Sequence, residues 1–283
     1  MISRIPKGRV APRVLITAAA LLTMVAVLVL PIEAQRGTGQ GGRGGAQGAA
    51  PPTPQASAPI DVTGYWVSII VDEWRFRVTP QKGDIPYLPL NNEARQIANA
   101  WDPAKDEAEG KQCKAYGAVG VMQRPGRIHL TWDSPTTLKI EADAGAQTRL
   151  LHFGATPGDK GQPSWQGYSV AEWQMPGGRG RRGAPSLGPA DNLPNRPAGI
   201  GSLKVVTTNM LPGYIRKNGV PYSANAVLTE FFNRLTGQQN DSYIALTAMV
   251  DDPTYLTGQF IRTYTFKKLP DATGWEPTPC WPR

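Results

Sequence analysis

From Arg127 onward the chain repeats one pattern: short runs rich in β-branched and aromatic residues, divided by turn signals. The runs are Arg127–Trp132, Thr137–Glu141, Gln147–Phe153, Trp165–Met175, Ser202–Met210, Ala226–Leu235, Ser242–Val250 and Gln259–Lys267, preceded by Ala118–Gln123. "RPGR", "DSPT", "DAGA", "GQQND" and "DDPTYLTG" separate most of them. Strands at this spacing, with no long helical period between them, predict an antiparallel meander. One more strand is expected in "DVTGYWVSIIVDEWRFRVT", Asp61 to Thr79, where Trp74, Phe76 and Val78 alternate with Arg75 and Arg77. About ten twisted strands in one sheet tend to curl and close, which removes exposed edges. The predicted fold is all-β, a single antiparallel up-and-down β-barrel.

One helix is expected after the first strand. Ala94, Ile97, Ala98 and Trp101 fall at i, i+3, i+4 and i+7, with Asn91 or Asn92 to cap the start and Asp102-Pro103 to end it. "PAKDEAEG" can add a further turn before Gly110. The tripeptide Gly64-Tyr65-Trp66 resembles the Gly-x-Trp start of lipocalin-type barrels, which implies a lipocalin-like shape.

The ends of the chain read differently from its body. Arg4, Lys7, Arg9 and Arg13 precede an uncharged, almost wholly apolar run from Val14 to Leu30, with a small-residue cleavage site after Ala34. Residues 1–34 are expected to be an export signal, with an uncleaved N-terminal anchor as the alternative. No other integral membrane segment is expected. Residues 35–59 are Gly, Ala, Gln and Pro with little to bury, and read as a flexible tether to a domain spanning residues 60–283. Pro176 to Gly201 is Gly/Pro/Arg-rich and reads as a disordered insertion. The net charge of +8 lies in these parts: +3 in residues 1–34, +2 in 35–60 and +3 in 176–199. The rest balances, so a nucleic-acid face on the fold is not expected. Cys113 and Cys280 fit a disulfide in an exported chain, with two buried free thiols as the alternative.

No Gly-x-Ser-x-Gly, P-loop, dinucleotide fingerprint in a strand-to-helix context, or HExxH occurs. Two histidines and two cysteines without CxxC spacing are too few for a metal site, so no metal and no cofactor are expected. Acid–base chemistry rests on three candidates. His129 shares a strand face with Arg127 and Thr131, opposite Ile128, Leu130 and Trp132. His152 lies beside Thr148 and Leu150, opposite Arg149, Leu151 and Phe153. Glu230 shares a face with Ala226, Leu228 and Phe232. Converging inside a barrel, the three fit an isomerase- or hydratase-type enzyme. On outer faces, or with Glu230 paired to Arg234 or Arg262, they are structural.

The preferred expectation is a binding protein for a small, partly apolar molecule in or at the mouth of the barrel. An envelope interaction module is a third reading. Candidate ligand contacts are Arg216, Tyr222, Trp74, Arg77 and Trp165. Arg216 and Tyr222 lie in "LPGYIRKNGVPYS", Leu211 to Ser223, a connection too long for a tight hairpin, in which "KNG" can form a turn with Gly219 at positive φ. "TGYWVS", "QCKAYG", "RPGRIHLTWD", "QTRLLHFG", "GSLKVVTTNMLPGYIRKNGVPYS" and "DDPTYL" resemble a family of exported bacterial hypothetical proteins of the acidobacterial type, over nearly all of residues 60–283. The resemblance implies export and one β-rich domain, and transfers no catalytic residue. The chain departs from it at Pro176 to Gly201, where that family runs from "EW" almost directly into "SLKVVTT".

Overall fold

The computed structural model describes residues 51–78, 80–154, 160–175 and 200–282. The expected signal, the tether up to residue 50 and the insertion at 176–199 lie outside the described residues. Residues 51–59 belong with the domain: Trp173 Nε1 donates to the Pro54 carbonyl at 2.8 Å, and Gln55 N to Pro135 O at 3.2 Å. No helix among the described residues is long and apolar enough to cross a membrane.

The strands are β1 (Gly64–Ile69), β2 (Arg127–Ser134), β3 (Thr137–Ala142), β4 (Gln147–Phe153), β5 (Tyr168–Gln174), β6 (Ser202–Thr208), β7 (Gly213–Arg216), β8 (Val220–Tyr222), β9 (Val227–Thr236), β10 (Ser242–Asp251) and β11 (Phe260–Lys268). Nine of them close a barrel in the order β1-β11-β10-β9-β6-β5-β4-β3-β2. β1 closes it, pairing Trp66 with both Lys268 on β11 and Ile128 on β2. The barrel is all-β as expected, but it is not purely up-and-down. β4 and β5 run parallel, Leu151 facing Ser169, so both strands start from the same barrel end.

Two expected strand segments are helical. Trp74–Arg77 forms a one-turn helix, α1, and Ala118–Val121 forms another, α4. Short apolar runs do not separate strand from buried helix by period alone; α4 is wholly buried, whereas α1 buries only Arg77. The helix after β1 exists as α2 (Asn92–Ala100), capped by Asn91 Oδ1 accepting from Ala94 N at 2.9 Å. α3 (Pro103–Ala108) follows, with Asp102 as its cap and Pro at its start. A 3₁₀ turn at Gln112–Tyr116 leads into α4.

Side chains fill the lumen. Trp66, Leu130, Leu138, Leu151, Leu203, Phe232, Ile244, Leu246 and Phe266 are buried, and Trp66 Nε1 donates to the Val62 carbonyl at 3.0 Å. The barrel ends differ. One end carries the β2–β3 and β9–β10 turns. The other is covered by the long β1–β2 connection and by the β7–β8 hairpin between β6 and β9. "LPGYIRKNGVPYS" is that hairpin. Asn218 at its tip is fully buried and donates through Nδ2 to the Gln81 and Asp84 carbonyls at 2.9 and 3.1 Å. Gly219 has φ 82°, and a Cβ there would sit 2.2 Å from Trp101.

After β11 the tail returns along the outer wall to the capped end. Trp275 meets the stacked rings of Tyr65 and His129, Thr278 N donates to Asp143 O at 2.9 Å, and Cys280 is disulfide-bonded to Cys113, Cα to Cα 5.1 Å. The bond closes a span of 167 residues. Replacing both cysteines by serine is expected to lower stability by about 3–5 kcal/mol, read as a lower urea midpoint. Gly219→Ala, strained in backbone and overlapping Trp101, is expected to cost about 2 kcal/mol or more in the same assay.

Candidate functional site

The three acid–base candidates do not meet. His129 is on the outer face of β2, its ring 4.0 Å from that of Tyr65 and nearly parallel to it, with Nδ1 3.1 Å from Glu141 Oε2. Lys139 Nζ lies 3.2 Å from the same carboxylate oxygen. His152 is on the outer face of β4, stacked on Tyr168 at 5.0 Å. Opposite them on β3 stand Glu141 and Thr137, four residues apart along the strand. Glu230 points the other way, into the lumen. The convergence that an acid–base enzyme needs is therefore not formed, and His129 helps to dock the tail.

Glu230 has a partner that the sequence reading did not choose. Arg149, from β4, donates through Nη2 to Glu230 Oε2 and, at 2.7 Å, to Thr207 Oγ1. Its Nε donates to Ser169 Oγ at 2.9 Å, and the Ser169 and Thr207 hydroxyls are 2.8 Å apart. Four strands thus supply one buried polar layer, with Arg149 4% and Glu230 1% exposed. Charge is balanced within it. Arg234 and Arg262, the partners considered from sequence, pair instead with Asp61 at 4.0 Å and Glu73 at 2.8 Å.

A second group of buried arginines is not balanced. Arg77 at the end of α1, Arg124 after α4 and Arg216 at the end of β7 are 2%, 5% and 2% exposed. Gln123 ties them together beneath the cap. Its carbonyl accepts from Arg77 Nε at 3.1 Å, its side chain donates to the carbonyl of Ile215 at 2.6 Å, and Arg124 is its chain neighbour. The aromatic rings of three residues surround the guanidiniums. Arg77 lies 5.1 Å from the Tyr264 ring centroid, and Arg216 lies 4.3 Å from that of Phe76 and 5.9 Å from that of Phe260. Such contacts soften the burial of a cation but do not replace hydrogen bonds.

The available carboxylates are mostly committed elsewhere. Glu73 accepts from Arg262 Nε at 2.8 Å and stands 3.6 Å from Arg216 Nη2, a charge contact longer than a hydrogen bond. Asp84 is 2.6 Å from Arg75, Asp106 is held by Lys114, Trp101 and Tyr214, and Asp252 holds Ser223. Five buried guanidinium nitrogens of this group have no hydrogen-bond partner, Arg77 Nη2, Arg124 Nε and Nη2, and Arg216 Nη1 and Nη2; outside it the same holds of Arg127 Nε and Arg149 Nη1. Burial, with Arg77 and Arg216 close by, brings the Arg124 guanidinium down to about 10. Arg77 and Arg216 are also lowered, chiefly by burial. Burial pushes the phenol of Tyr264 up.

Of the five candidate ligand contacts, Arg77 and Arg216 are brought together here. Tyr222 is fully buried away from them: its hydroxyl packs against Gly117 and Gly213, and burial pushes its phenol up. Trp74 is largely exposed on α1. Trp165 sits half-buried in the β4–β5 crossover and donates to the Pro212 carbonyl at 3.3 Å. A surface cleft of about 470 Å³, bordered by Gln174, Ser202, Asn233 and Arg234, lies at the opposite barrel end from the arginines.

Arg124 was hidden in "RPGR", which reads as a turn. Arg149 and Arg262 did carry a signal, because each falls in phase with apolar residues of its strand. No protein-family model, curated protein or solved structure matches the chain. Removing one member of the balanced layer exposes its cost. Glu230→Ala is expected to destabilise the barrel by about 3–5 kcal/mol by stranding Arg149, whereas the double change Arg149→Met, Glu230→Leu stays near the parent in chemical denaturation.

Proposed function

We propose that the chain is an exported small-molecule-binding barrel whose ligand is a small, partly apolar anion held at the capped mouth. The observation that carries this reading is the set of orphaned guanidinium nitrogens on Arg77, Arg124 and Arg216. Buried donors without partners are rare and costly in native proteins, and three neighbouring cations short of counter-charge compound the cost. Oxygens of an anionic ligand satisfy both demands at once. Phe76, Phe260 and Tyr264 give the ligand an apolar wall.

The packed lumen below favours a ligand at the mouth over one deep in the barrel. The enclosure of the arginines suits a small molecule rather than a nucleic-acid backbone, which calls for an exposed basic face. The Cys113–Cys280 bond fits an oxidising compartment, and the resemblance to exported bacterial proteins supports the same location.

Thermal denaturation of the full chain tests the reading. Benzoate, benzenesulfonate and phenyl phosphate are expected to raise Tm, and benzyl alcohol and benzylamine to leave it unchanged. Arg124→Met is expected to raise the ligand-free Tm by a few degrees, because it removes an uncompensated buried charge, and to abolish the response to the anions. If the response survives in that variant, the ligand is not at the arginine cluster.

A further inference from the structure

The identity of the head group follows from the supply of donors and charge, and it rests on the anion-binding reading above. Five orphaned nitrogens belong to three guanidinium forks. A carboxylate has two oxygens in one plane, with about four lone-pair directions to offer. It leaves part of this set unsatisfied, since the forks come from three elements, α1, the turn after α4 and β7. A phosphoryl group presents three terminal oxygens arranged tetrahedrally, and guanidinium forks match its edges bidentately.

The charge count agrees. Arg216 and Arg262 share the carboxylate of Glu73, Asp72 also acts on Arg77 and Asp84 on Arg216, and no carboxylate acts on Arg124, so the cations of the cluster outnumber the carboxylates that reach them. A monoanion offsets one positive charge and a dianion two. We infer that the ligand's head is a phosphoryl group, a doubly charged tetrahedral oxyanion, borne on a small organic body that contacts Phe76 and Phe260.

Titration calorimetry on the full chain decides this, with phenyl phosphate, inorganic phosphate, benzenesulfonate and benzoate at about pH 8. Phenyl phosphate is expected to bind about 30-fold tighter than benzoate or benzenesulfonate, since it alone joins a tetrahedral head to two charges and an apolar body. That advantage is expected to shrink toward pH 5, as the phosphoryl dianion takes up one proton near pH 6 and becomes a monoanion. Inorganic phosphate is expected to bind about tenfold more weakly than phenyl phosphate for want of the ring. Equal binding by inorganic phosphate keeps the phosphoryl head and makes free phosphate its source.

Arg124→Lys and Arg216→Lys keep the charge and remove the fork. Each is expected to weaken phenyl phosphate by about tenfold or more and benzoate by less, with the fold checked by circular dichroism. Unchanged phenyl phosphate affinity in both variants overturns the inference. So does benzoate binding as tightly as phenyl phosphate, which leaves the organic-anion reading standing. If none of the four probes binds, the anion-binding reading itself fails.

Discussion

Six residues decide what is inside this protein. β1 offers both of its edges at once, to β2 and to β11, and turns a sheet of nine strands into a closed wall. Once the wall is closed, the period-two alternation of each strand becomes a rule about water. The even-numbered residues of β11, Phe260 to Phe266, lie within, together with Leu228, Glu230 and Phe232 of β9. His129 and His152, on the other phase of their strands, lie outside. A residue's phase, more than its chemistry, sets its role here.

The interior then treats charge in two ways. Arg149 and Glu230 are balanced in charge, one anion against one cation with two hydroxyls close enough to share the bonds, although Arg149 Nη1 and Glu230 Oε1 have no hydrogen-bond partner. Burying such a pair gains little over a hydrophobic one, but its charges cancel. Arg77, Arg124 and Arg216 are less well matched: Glu73 stands 3.6 Å from Arg216, no carboxylate acts on Arg124, and aromatic rings face Arg77 and Arg216. Natural chains depart from local stability rules chiefly at functional sites. The two arginine groups in one barrel thus differ in charge balance, the first neutral and the second in cationic excess.

Most of the wall was legible in the sequence. Eight barrel strands after the first lie within a few residues of the runs between Arg127 and Lys267, because alternation of apolar residues states the strand period directly. The helix at Asn92–Ala100 and its Asn91 cap were equally plain. Less legible was everything that depends on non-local burial. "EWRFR" alternates like a strand and folds as α1, and "AVGVMQ" is apolar enough for either state. The parallel pairing of β4 and β5 depends on the route of a connection, which composition does not encode. The site was half legible. Arg77 and Arg216 could be chosen as cations in suggestive places, but nothing in "RPGR" marks Arg124 as their neighbour in the fold.

The Cys113–Cys280 bond places β2 to β11 inside one covalent ring and leaves β1 outside it. The oxidised chain is thus a cyclised sheet lacking one strand, and β1, on the arm that precedes the ring, fills the gap by hydrogen bonds and by the burial of Trp66. No covalent constraint requires that strand to come from the same molecule. A second copy presents an identical β1, so exchange of this one strand between two molecules is the form of association that the connectivity leaves open, and occupancy of the gap by the chain's own β1 is what holds each ring to itself.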